Sequence, residues 1–260
     1  MSTSHTDVLE LQGAGAIITG GGSGINLAFA QALERLFDVY AERFGGVPDV
    51  VVAGAGIYEA SSAGFWDDRD NASHYTVIDV NLVHPIKLTR IALRLFRQAQ
   101  QPGVIMHESS IVALRPSAVL PLYAATKAGL SHFVRCMAPL HELSGIKVVA
   151  VAPGLVDTPL FRQHPDAQEH VDMSEDFFLP PDEVVKAMLA LLTQAQYRGG
   201  TVLEINDIGG WRKVQLHHDP GPQGKSKIPR RKGAEMMLQV EKALQEDGKG
   251  VQGSCPGTKL

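Results

Sequence analysis

Tyr123 and Lys127 stand four residues apart in a stretch of helical periodicity, so both side chains project from one helix face. An ammonium beside a phenol favours the phenolate by Coulomb attraction. It draws a pKa that starts near ~10 toward the range where proton transfer is efficient. Ser110 lies 13 residues before Tyr123, just past the apolar run Gly103–Glu108, where its hydroxyl could hydrogen-bond a substrate carbonyl or hydroxyl. A second constellation is Thr19-Gly20-Gly21-Gly22-Ser23-Gly24-Ile25, a glycine turn between an apolar run and a helical pattern. Main-chain amides in such a turn can face a pyrophosphate at the positive end of the helix. The spacing is not G-x-G-x-x-G, because Leu27 stands where a further glycine belongs. Taken singly, each residue has a bland alternative: Tyr123 at a core edge, Lys127 snorkelling at the surface, Ser110 as a cap, the glycines as a turn without a ligand. Their ordered occurrence in one chain makes coincidence the weaker account.

The elements that must position them follow from hydrophobic patterning. Short apolar runs alternate with helical segments from Gly13 to about Gly210, which predicts parallel strands joined by crossover helices. The strands are read at Ala14–Thr19, Asp49–Ala53, Gly103–Glu108, Lys147–Ala152 and Thr201–Ile205. The helices are read at Asn26–Phe44, Val77–Gln98, Ala124–Leu143 and Pro181–Gln196. The Val-, Ile- and Ala-rich runs lack polar alternation, as strands covered on both faces do. The fold class is therefore α/β, a parallel sheet within a domain spanning residues 1–217. Residues 218–260 are rich in Pro, Gly and Lys and read as a poorly structured tail with a short helix at 234–245.

Composition removes several function classes. The 260 residues carry 24 Lys+Arg against 28 Asp+Glu, a net charge of −4, which offers no attraction to nucleic acid or anionic lipid. Cys136 and Cys255 are too few and too far apart for a disulfide framework or a zinc site, so no metal is expected. No signal peptide or membrane span is legible, and a cytoplasmic location is expected. The ending Thr258-Lys259-Leu260 differs in one position from the peroxisomal Ser-Lys-Leu address, which leaves peroxisomes as an alternative.

In order, these motifs resemble those of the classical short-chain dehydrogenase/reductase family from about Leu11 to Trp211. The family's Thr-Gly-x-x-x-Gly-x-Gly turn maps onto Thr19, Gly20, Gly24 and position 26. Its Asn-Asn-Ala-Gly strand end maps onto Ala53-Gly54-Ala55-Gly56, its helix asparagine onto Asn81, and its Ser, Tyr and Lys onto Ser110, Tyr123 and Lys127. Its Pro-Gly…Thr motif maps onto Pro153-Gly154-Leu155-Val156-Asp157-Thr158. The segments Arg198–Glu204 and Asp219–Pro222 are similar to the ends of fungal hydroxyprostaglandin-dehydrogenase-like members, which implies secondary metabolism.

The resemblance implies a Rossmann-like doubly wound parallel sheet, here shortened, and an NAD- or NADP-dependent oxidoreductase that interconverts a hydroxyl and a carbonyl on a small metabolite. It makes Tyr123 the general acid/base and Ser110 the group that orients the substrate. Lys127 would bind the nicotinamide ribose and lower the tyrosine pKa, and Asn81 would hold a relay water. Cofactor contacts would come from Thr19, Gly20, Ser23, Gly24, Ile25, Gly54, Asn81, Tyr123, Lys127, Pro153, Gly154, Val156 and Thr158. A homo-oligomer paired through the helices bearing Asn81 and Tyr123 is a further family expectation. Specificity would lie in 113–122 and 160–179, where Phe161, Phe177, Phe178 and Leu179 form either an apolar lid wall for a hydrophobic substrate or ordinary core.

The chain departs from the family pattern in three places. Only 34 positions separate Thr19 from Ala53, and they hold one helical pattern, so the family's second and third strands and its ribose-selecting residue read as deleted. The strands ending at Thr19 and Ala53 should then be neighbours in a sheet of about five parallel strands, with an exposed or partner-covered edge at the first strand. The connecting helix must either cover the opposite sheet face or form a left-handed crossover. Asn26 replaces the third glycine, and Ala53-Gly54 replaces the asparagine pair. These losses keep open a second reading, a non-redox pseudoenzyme or proton-transfer catalyst with a defective dinucleotide site. NAD and NADP are not distinguished.

Overall fold

In the computed structural model, residues 9, 11–19, 37, 39–59, 64–68, 74–215 and 223–226 are described. Six strands form one sheet in the order β1 (Ala16–Thr19), β2 (Val50–Ala53), β3 (Gly103–Glu108), β4 (Ile146–Pro153), β5 (Val202–Ile205) and β6 (Trp211–Lys213). The first five are parallel, as the patterning requires. The short β6 runs antiparallel on β5. It is a strand the apolar pattern does not announce, because Trp-Arg-Lys is too short to show alternation and is only partly covered.

β1 and β2 are direct neighbours, with Ile17 opposite Val51 and Thr19 opposite Ala53. Successive strand residues point to opposite faces, which sorts the core into two layers. Ile17, Val51, Ile105, Val148 and Ala150 face one side; Val50, Val52, Val104, Met106, Val149 and Val151 face the other. On the first side lie Phe37 and Tyr40, from the helical residues 37 and 39–44, with Leu88, Ala92 and Phe96 of α2 (His84–Gln98) and Val134 of α3 (Pro121–Cys136). α7 (Pro181–Thr193) covers the second side with Ala187, Ala190 and Leu191.

The first three crossovers thus place their helices on one face while moving in one direction across the sheet, so they share one hand. Of the two routes open to the β1–β2 connection, the chain takes the one that covers the face occupied by the two following helices. Ile18, on the other face of the edge strand, is 70% exposed. Gly15 leaves room for the Tyr40 ring, which would have to move for any side chain there, since a Cβ would lie 1.5 Å from its hydroxyl.

The helices differ in detail from their sequence patterns. The Val77–Gln98 pattern forms α1 (Thr76–Ile78), a π turn at Asp79–Val83 and α2. The Ala124–Leu143 pattern breaks into α3 and α4 (Leu140–Ser144), because Pro139 cannot continue the hydrogen-bond ladder of α3. Two further helices, α5 (Pro159–Gln163) and α6 (Pro165–Glu169), each begin at a proline. Within the polar tail, residues 223–226 pack against the sheet: the Ser226 amide donates to the Asn206 carbonyl, and its hydroxyl donates to the Leu155 carbonyl at 2.9 Å. No helix among the described residues is long and apolar enough to cross a membrane.

Candidate active site

The carboxyl ends of the parallel strands bring the candidate residues together. Ser110 leaves β3 in an extended conformation and caps the 3-10 turn Ile111–Leu114, its hydroxyl accepting from the Val112 amide at 3.3 Å. The Ser110 hydroxyl also acts on the Tyr123 phenol, drawing its pKa down, which joins the two residues the sequence paired. One turn further along α3, the Lys127 ammonium lies 5.5 Å from the centroid of the Tyr123 ring and donates to the Glu108 carbonyl at 2.8 Å.

α3 is held in place by groups that sequence reasoning missed. Buried Glu59 accepts from the Tyr123 amide at 2.7 Å and from the Phe65 amide at 3.3 Å. A carboxylate there satisfies a free amide in the first turn and complements the positive helix end. Ser109 donates to the Lys127 carbonyl at 3.1 Å and shares a 2.7 Å bond with Ser131. No local motif marks Glu59, which lies 64 residues from Tyr123.

Electrostatics differ from expectation in one respect. Burial pushes the Tyr123 phenol up to about 12, the Ser110 hydrogen bond lowers it, and the Glu108 charge raises it. Burial also pulls the Lys127 ammonium down to about 8. The net shift at Tyr123 is therefore upward and set by desolvation, where the spacing with Lys127 predicts a downward one.

Asn81, in the π turn, is 1% exposed. Its amide donates to the Ile57 carbonyl at 2.9 Å and accepts from the Ile57 amide at 2.8 Å. It thus pins the segment leaving β2, a structural task beside the relay role that the resemblance implies.

Of the other candidates, the Thr19 hydroxyl donates to the Val52 carbonyl at 3.4 Å. Gly54 faces Thr19 closely, since a Cβ there would lie 2.7 Å from the Thr19 carbonyl. Pro153 ends β4, Val156 pairs with Leu179, and Thr158 precedes α5. Gly154 is packed under the 223–226 segment: a Cβ would lie 2.1 Å from the Ser226 carbonyl. Gly20, Ser23, Gly24 and Ile25 lie outside the described residues, as does Asn26.

Beside Tyr123, an apolar wall is built from Tyr58, Leu120 and Ala167, with Val119, Leu160 and Phe161 against them. The Tyr58 hydroxyl is 2.5 Å from His170 Nδ1, and its ring lies 5.9 Å from that of Tyr123. Burial pushes the Tyr58 phenol upward, so it stays neutral. Of the four residues proposed as a lid wall, Phe161 joins this cluster and stacks edge-on with Phe178 at 5.7 Å. Phe177 and Leu179 belong instead to the sheet core.

The model of the family described as short chain dehydrogenase matches residues 26–169. The chain belongs to that family. Among its relatives is a 3beta-hydroxysteroid dehydrogenase of Eggerthella lenta, 33% identical over 183 residues, covering 68% of each chain. A short-chain dehydrogenase/reductase of Penicillium rubens is 29% identical over 183 residues, 67% of this chain and 59% of that one. A 4-hydroxyisoleucine dehydrogenase solved with NADH is 25% identical, with a TM-score of 0.56 over 70% of this chain and 77% of that one.

As a member, this short-chain dehydrogenase/reductase is an NAD(P)-dependent oxidoreductase acting on hydroxyl and carbonyl groups of small molecules. The described residues fit the nicotinamide-ribose half of such a cofactor. Gly56 brings bare main chain against both groups that would hold it: even a Cβ there would be in contact with the Lys127 ammonium at 3.7 Å and the Asn81 oxygen at 3.5 Å.

Proposed function

We propose that this dehydrogenase acts on a small hydrophobic ketone or secondary alcohol, with Tyr123 exchanging the proton at the substrate oxygen. The observation that carries this reading is the convergence of Ser110, Tyr123 and Lys127 beside the apolar wall of Tyr58, Leu120 and Phe161. When bound, the nicotinamide supplies or accepts the hydride.

The chain's own residues do the rest. Ser110 hydrogen-bonds the substrate oxygen and holds it against the phenol. Tyr123, neutral at physiological pH, donates its proton to an oxygen gaining negative charge during reduction. Lys127 would hold the ribose hydroxyls of a bound nicotinamide cofactor and places positive charge by the phenolate as it forms. Asn81 fixes the segment leaving β2 through Ile57. The wall around Tyr58 excludes water from the reacting carbon and favours apolar substituents. Thr158 and the main chain of Pro153–Val156 would hold the nicotinamide, as the family motif implies. Gly20, Ser23, Gly24 and Ile25 are assigned to the pyrophosphate by the family motif. A cytoplasmic homo-oligomer is the setting we infer, with fungal secondary metabolism as the finer assignment.

The test is a titration of the purified chain with NADH and then NADPH, following nicotinamide fluorescence and thermal stability, since a ligand that binds the native state stabilises it. Saturable stabilisation is expected. Turnover of a panel of hydrophobic ketones should then be abolished by Tyr123→Phe, with cofactor binding kept. A folded chain that binds neither nucleotide, or a Tyr123→Phe variant that still turns over, overturns the reading.

A further inference from the structure

Glu108 is an ionisable side chain of the cleft that the mechanism does not use. It ends β3 directly beside Gly54 of the adjoining segment, and its carboxyl sits over that glycine. A Cβ on Gly54 would lie 2.9 Å from Glu108 Oε1 and 3.3 Å from its Cδ, with the Thr19 carbonyl 2.7 Å away. Gly54 thus makes the room that the carboxyl fills, at the ends of three neighbouring strands. The same floor carries Lys127, whose ammonium is bonded to the main-chain carbonyl of Glu108 at 2.8 Å.

That carbonyl supplies a dipole but no charge, and an ammonium removed from water needs a compensating anion to remain charged. The titratable groups that face Lys127 among the described residues are Glu108 and His107 from β3 and Tyr123 from its own helix. Asn81, across the cleft, is uncharged. Burial pulls His107 down and pushes Tyr123 up, which leaves the Glu108 carboxyl, itself raised by burial and lowered by Lys127, as the group there able to supply negative charge.

We propose that Glu108 is a positioning residue of the Tyr123–Lys127 pair, its carboxylate over Gly54 being the counter-charge that keeps the buried Lys127 protonated. The proposal rests on the role given to Lys127 above. The attraction is mutual: Glu108 raises the lysine pKa that burial lowers, and Lys127 lowers the glutamate pKa that burial raises. The same carboxylate raises the pKa of Tyr123, so it favours the ammonium and the phenol together, the charge state needed to protonate a carbonyl oxygen.

The test is a pH titration of Lys127 in the full ligand-free chain, by carbon-13 NMR of protein labelled at lysine Cε. The resonance is assigned by its loss in Lys127→Met. The wild-type midpoint is expected near 8. In Glu108→Gln it should fall by about one pH unit or more, a tenfold loss of proton affinity, while Glu108→Asp retains most of the wild-type value. A Glu108→Gln midpoint equal to or above wild type overturns the proposal. Should Glu108→Gln not fold, Lys127→Met tests the linkage from the other side: the Glu108 carboxyl must titrate at higher pH than in wild type, and an unchanged midpoint overturns it. No cofactor or substrate enters this measurement, so failure to bind NADH refutes the proposed function while this result stands apart.

Discussion

Replacing Asn81 with alanine separates the two tasks assigned to that residue. Its side chain makes a reciprocal pair of hydrogen bonds to Ile57, at 2.8 and 2.9 Å, from a position 1% exposed. Each such bond contributes about 1 kcal/mol net, and the stranded Ile57 amide and carbonyl add a desolvation penalty where water reaches them incompletely. Ile57 is itself half-buried, so water recovers part of that penalty. The expected loss is about 2–3 kcal/mol, read as a shift of the urea midpoint at constant slope. Because the bonds hold the segment leaving β2, hydrogen exchange at the Ile57 amide should accelerate far more than exchange in β3. Asn81→Asp keeps the acceptor for the Ile57 amide, loses the donor and buries a charge, so it should not rescue stability. A loss below about 0.5 kcal/mol, with Ile57 exchange unchanged, would refute the anchoring role and return Asn81 to a purely catalytic one.

Two further predictions concern the sheet. His107 is buried between Thr89 and Phe133, and burial pulls it down to about 3 from an ordinary 6.5. Below pH 6.5 the unfolded chain takes up a proton that the native site refuses. Stability should therefore fall as pH drops from about 6.5 toward 3, by up to about 1.4 kcal/mol per pH unit for this group. Urea unfolding at successive pH values should show a shallower acid slope in His107→Asn, and an identical slope would contradict the assignment. Gly103→Ala places a Cβ 2.6 Å from the Phe96 ring and should cost about 1–3 kcal/mol through overpacking. Phe96→Leu added to it should recover part of the loss, and strict additivity of the two changes would count against this contact.

The parallel strands and the Ser110, Tyr123 and Lys127 set were legible because each rests on local information: continuous apolar runs, or a fixed spacing on one helix. Even the adjacency of β1 and β2 could be argued from the short interval between Thr19 and Ala53. What escaped was set by contacts distant in sequence. Glu59 caps the helix carrying Tyr123 across 64 positions, and Tyr58 meets His170 across 112. Glu108 read as the polar end of an apolar run, and only the pairing of β2 with β3 sets it over Gly54. The protonated state of Tyr123 was missed for a related reason. The spacing shows the helpful ammonium, whereas the desolvation that raises the phenol depends on packing from several elements. Pro139 carried a local signal for the break between α3 and α4, which the apolar periodicity on either side obscured.

The sequential strand order has a consequence for how the sheet comes together. Each strand pairs with the one made just before it, from β1 through β6. A doubly wound sheet begins at its centre and must return to the first strand to build the other half. Here every new strand meets an edge that already exists, with only one crossover or hairpin to close. Loop-closure cost grows with the length closed, so such a sheet can extend vectorially as synthesis proceeds, without holding an early strand open for a late partner.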